Sequence, residues 1–109
     1  MKMGKKWNTE ETNELLAAIL KLKNLDECRM FFRDLCTPDE LVDMSDRFQA
    51  VKMLARNIDY REIANKLGMS TTTVARVAYW LKQGMGGYSL ILKRLGLNHH
   101  QTFSARVER

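Results

Sequence analysis

Hydroxyl and guanidinium groups, rather than nucleophiles or metal ligands, are the chemistry this sequence concentrates. Positions 70–76 run Ser70, Thr71, Thr72, Thr73, Val74, Ala75, Arg76, with Arg61 upstream and Tyr79 and Lys82 downstream. Such side chains exchange hydrogen bonds with phosphate oxygens and base edges, and the threonine methyl suits the thymine methyl. Groups for catalysis are sparse. His99 and His100 are adjacent in a polar tail, and Cys28 and Cys36 are eight residues apart. On one helix that separation is about 12 Å of rise, too far for a disulfide. Neither cysteine belongs to a CxxC, so zinc-type spacing is missing and both read as buried free thiols. The chain has no HExxH, and Gly84-Met85-Gly86-Gly87 lacks the Lys-Ser/Thr of a phosphate loop. No enzymatic activity, metal or cofactor is expected.

Two helices must position the hydroxyl cluster. Residues 60–82 fit a helix-turn-helix: Ala64 permits close crossing, Gly68 takes the left-handed turn, and Ser70 caps the second helix. Ile63, Leu67, Val74, Val77 and Leu81 fill the angle between the helices. If Val74, Val77, Ala78 and Leu81 face inward, Thr71, Thr72, Thr73, Ala75, Arg76 and Tyr79 face outward. A helix of this kind enters the major groove of duplex DNA by its amino end. Arg61 and Lys82 then hold phosphates, or, for Arg61, a guanine edge. The expected DNA-binding set is Arg61, Ser70, Thr71, Thr72, Thr73, Ala75, Arg76, Tyr79 and Lys82.

The rest of the chain reads as helical too. Proline occurs once, at Pro38, and four of the six glycines come late, so the punctuation of strands and hairpins is missing. Start signals at Asn8 with Glu11, Asn24 with Glu27, Thr37 with Glu40, Asp59 with Glu62, and Ser70 predict helices over 9–23, 25–36, 38–57, 60–67 and 71–83, with a short sixth at 87–95. Thr37-Pro38-Asp39-Glu40 is the strongest signal, because proline presets the first turn. In the third helix Leu41, Met44, Phe48, Val51, Ala55 and Ile58 fall on one face, a seam that serves either a core or a subunit interface.

With 109 residues, 45% of them hydrophobic and 28% charged, the chain is expected to fold as one domain over 1–97, followed by a polar, mobile tail at 98–109. A lone domain of 12.7 kDa buries a modest share of its surface, which favours association with a second copy. No apolar run approaches a membrane span and no export signal is evident, so a cytoplasmic location without membrane contact is expected. The net charge is +5, and it is uneven: residues 1–36 carry +1, residues 37–59 carry −2 and residues 60–109 carry +6. The basic excess thus accompanies the helix-turn-helix, as a phosphate-binding surface requires.

Cys36-Thr37-Pro38-Asp39-Glu40, Arg47 in the following helix, Arg61-Glu62-Ile63 with Asn65 and Leu67-Gly68, and Thr73-Val74 with Arg76 and Leu81-Lys82 together resemble the tryptophan repressor superfamily, most closely its YerC/YecD branch. The resemblance implies an all-α, intertwined helical homodimer with a helix-turn-helix DNA-binding unit. It implies that Arg61, Thr72, Thr73, Ala75 and Lys82 meet DNA, and that Thr37, Arg47 and Arg76 match a threonine and two arginines around the corepressor. Val77 and Trp80, however, stand where the resemblance implies glycine and serine.

The expected function is therefore that of a sequence-specific DNA-binding transcriptional regulator, a repressor acting as a homodimer on double-stranded DNA, that does not use L-tryptophan. The pocket-like set is Thr37, Arg47, Arg76, Val77 and Trp80. Two roles for Trp80 stay open: its indole fills the corepressor slot, or it is a core residue. An unidentified small effector is a further partner, since two arginines could clamp an anionic group. The competing expectation is a helical protein- or RNA-interaction module without specific duplex binding.

Overall fold

The computed structural model describes residues 6–97, within which every regular element is an α-helix. The tail expected to be mobile at 98–109, with His99 and His100, lies outside the described residues. Six helices follow in order: α1 (Glu10–Ile19), α2 (Leu25–Leu35), α3 (Pro38–Ala55), α4 (Tyr60–Leu67), α5 (Thr71–Gln83) and α6 (Gly87–Arg94). No helix among the described residues is long and apolar enough to cross a membrane.

The helix starts follow local side-chain chemistry. Asn24 Oδ1 accepts from the Glu27 amide at 2.9 Å, while Glu27 Oε1 reaches back to the amide of Lys23. The box at α3 is reciprocal: Thr37 Oγ1 accepts from the Glu40 amide at 3.1 Å and Glu40 Oε1 from the Thr37 amide at 2.8 Å. At α1 the cap is Thr9, not the expected Asn8; Thr9 Oγ1 accepts from the Thr12 amide and pairs with the Thr12 hydroxyl. The reciprocal bond expected of Glu11 is not formed among the described residues; the Thr12 hydroxyl meets the Thr9 hydroxyl, and the Thr9 amide donates to the Trp7 carbonyl.

Two helices end two or more residues before the expected position. α1 stops at Ile19 rather than 23, and the amides of Lys21 and Leu22 close tight turns on Ala18 and Ile19. α3 stops at Ala55 because Asn57 is left-handed, at φ 62°. Asparagine tolerates that region better than most residues. The amide of Ile58 then folds back onto the Met53 carbonyl.

The chain divides into two compact units, one through Leu41 and one from Val42 onward. In the first, α1 and α2 bury none of their residues: Leu16 is 48% exposed, Leu25 66% and Met30 67%. The second holds the core. Ala50, Val51, Met53 and Ala55 of α3 cluster with Ile63 and Ala64 of α4, Val74, Val77 and Leu81 of α5, and Leu92 of α6. The seam expected along α3 is therefore divided. Val51 and Ala55 are fully buried, with Phe48 and Ile58 packed against the cluster, whereas Met44 is exposed.

Candidate nucleic-acid interface and the cavity beside it

The α4–α5 pair is built from three short-range features. Asp59 Oδ1 accepts from the Arg61 amide at 2.8 Å and starts α4. Gly68 ends it in the left-handed conformation, φ 68° and ψ 35°, and the amides of Gly68 and Met69 both donate to the Ala64 carbonyl. A side chain at this φ would be strained even though the space around it is open. Ser70 Oγ then accepts from the Thr73 amide at 3.0 Å and shares a second bond with the Thr73 hydroxyl, which starts α5.

Packing fixes which face of α5 is presented. Val74, Val77, Ala78 and Leu81 are the buried residues of the helix, and Ile63 and Ala64 those of α4. Thr71, Thr72, Ala75, Arg76 and Tyr79 are consequently exposed, as are Ser70, Arg61 and Lys82; Thr73 is half-buried. Two members of the expected set, Ser70 and Thr73, already spend their hydroxyls on each other. Thr71 and Thr72 hold the outward hydroxyls of the first turn.

The inner edge of α5 lines a cavity of about 530 Å³. It brings together Arg47, Arg76, Val77 and Trp80, with Thr73 beside them. Thr37 is not among the lining residues; it belongs to the amino-terminal unit, and its hydroxyl caps α3. Four lining residues had not been singled out in the sequence: Asp43, Asp46, Met69 and Tyr88. Asp43 lies one helical turn before Arg47, so the pair shares a face of α3, a signal the spacing does carry. Tyr88 follows a glycine-rich turn, and no local pattern would have found it. The four charged groups balance formally, and none makes an ion pair within 4 Å among the described residues.

Trp80 is not part of the buried core of the described residues. It is 51% exposed, and its ring meets that of Tyr79 edge-on, with centroids 4.9 Å apart. Val77 beside it is only 4% exposed. The helix face toward the cavity is thus covered by a branched side chain and an indole.

The family model described as "Trp repressor protein" matches residues 10–96. The uncharacterized protein YerC of Bacillus subtilis (strain 168) is 37% identical over 86 residues, 79% of this chain and 83% of that one. A solved structure of a TrpR-like protein from Eubacterium eligens superposes with a TM-score of 0.79 at 42% identity, covering 84% of this chain and 95% of the other. A second, from Staphylococcus aureus, gives 0.77 at 38% identity, covering 84% and 91%.

Proposed function

Because this chain belongs to the Trp repressor protein family, we propose that it is a sequence-specific DNA-binding regulator, a repressor that docks α5 in the major groove as a homodimer. The observation that carries this reading is the division of α5 into two faces. Its apolar face is buried against α4, while Thr71, Thr72, Ala75, Arg76 and Tyr79 are left outward beside Arg61 and Lys82. That outward face holds donors for phosphates and base edges and carries no carboxylate.

Dimer formation is supported by the amino-terminal helices. Leucines and a methionine on α1 and α2 lie exposed with no buried neighbour on either helix, and such surfaces mark association sites. A second copy brings a second α5, and two paired helices read half-sites about one DNA turn apart. The cavity beside α5 is the place for a small effector, since Thr73 and Arg76 belong both to its wall and to the reading helix. Val77 and Trp80 argue for an effector other than L-tryptophan.

Selection of bound sequences from a random duplex pool tests the reading. The expected outcome is a two-fold symmetric consensus whose affinity falls by about 10³ or more between 50 and 200 mM salt, as six or more phosphate contacts require. An unenriched pool overturns it.

A further inference from the structure

A depression of about 330 Å³ lies on the outer side of the α4–α5 pair, lined by Tyr60, Ala75, Ala78, Tyr79, Lys82 and Gln83. We propose that it seats a phosphate of the DNA backbone, held by the hydroxyls of Tyr60 and Tyr79 and the ammonium of Lys82. The inference rests on the reading of α4–α5 as a DNA-binding unit, and it adds Tyr60 and Gln83 to the residues that meet the duplex.

The chemistry of the lining selects an anion. Two phenols, an ammonium and a carboxamide supply hydrogen-bond donors, and no carboxylate is among the lining residues. The acidic group adjacent in sequence, Asp59, has Oδ1 engaged by the Arg61 amide. Among the described residues no side-chain hydrogen bond engages Tyr60, Tyr79, Lys82 or Gln83, so their donors are available to a ligand. Ala75 and Ala78 contribute only methyl groups, which lets a sugar-phosphate strand approach the helix closely.

Position argues for a duplex backbone over a free anion. Ala75, Tyr79 and Lys82 follow Thr72 at steps of three, four and three, so all four lie along one stripe of α5. A groove that receives the outward threonine at the amino end carries its flanking strand along that stripe toward Lys82. Tyr60, the first residue of α4, meets the strand from the other side. Tyrosine hydroxyls and lysines are ordinary phosphate contacts, and they fix register without reading sequence.

The test uses the full chain and the variants Tyr60→Phe, Tyr79→Phe and Lys82→Gln. Phenylalanine keeps each ring, including the edge-on contact of Tyr79 with Trp80, so thermal melts should match those of the parent chain. Dissociation constants are measured for the duplex enriched from the random pool and for a scrambled duplex, from 50 to 200 mM salt. Each phenylalanine is expected to weaken both duplexes alike, by about tenfold, the loss of one hydrogen bond to a charged group. Their salt slopes should stay unchanged, because a phenol displaces no counterion, whereas Lys82→Gln should lower the slope by about 0.9. Phenylalanine variants that bind like the parent overturn the phosphate seat alone. So does a loss confined to the enriched sequence, which assigns the tyrosines to bases. A parent chain that binds neither duplex overturns the seat and the DNA reading together.

Discussion

Val77 and Trp80 set the character of the cavity beside α5. Its volume, about 530 Å³, would admit an indole, so size alone excludes nothing. What differs from the pattern implied by the family is the wall. Glycine and serine would let a planar ring lie against the helix backbone, whereas a valine and a tryptophan stand in its way, and forcing such a fit costs about 1–3 kcal/mol. Asp43 and Asp46 further change the electrostatics, since they offset the charges of Arg47 and Arg76 on the same lining. Calorimetric titration with L-tryptophan should give no heat of binding at micromolar concentrations; a micromolar dissociation constant would reverse the assignment. The bulk of Trp80 is readable from the sequence, but its exposure is not, because that depends on how Tyr88 and α3 frame the opening.

Among the elements, α4 and α5 were the most readable, since everything that shapes them is local. Asp59, Gly68 and Ser70 act within three or four residues of their own positions, and the buried residues of α5 are those its spacing marks. Ile63 is the centre of that packing, fully buried and clustered with residues of α3, α5 and α6. Ile63→Ala should cost about 2–5 kcal/mol, read as a lowered urea midpoint, and should weaken all duplexes together by loosening the angle of α5. Stability within 1 kcal/mol of the parent would show that the α4–α5 angle does not depend on this side chain. The less readable features had weaker or more distant signals. Thr9 and Asn8 compete as caps one residue apart, and the division of the α3 seam depends on which helices arrive at its carboxyl half.

At the scale of the whole molecule, the two units differ in how they meet the cost of ordering a chain. From Val42 onward a cluster of ten buried residues encloses itself, but through Leu41 no described residue is buried. Helices of ten and eleven residues are marginal in water without tertiary packing. Sedimentation equilibrium at micromolar concentration should therefore give twice 12.7 kDa, and Leu25→Glu, on an exposed apolar position of α2, should yield monomers with reduced helix content. A folded monomer with α1 and α2 intact would contradict the pairing.

If two copies pair through the uncovered leucines of α1 and α2, as proposed, the supply of the chain itself sets how much of the paired species forms. Where pairing is incomplete, the assembled species grows as the square of the free chain, so halving the supply leaves about a quarter of it. Gene dosage and turnover would then tune occupancy of the target even with no effector present.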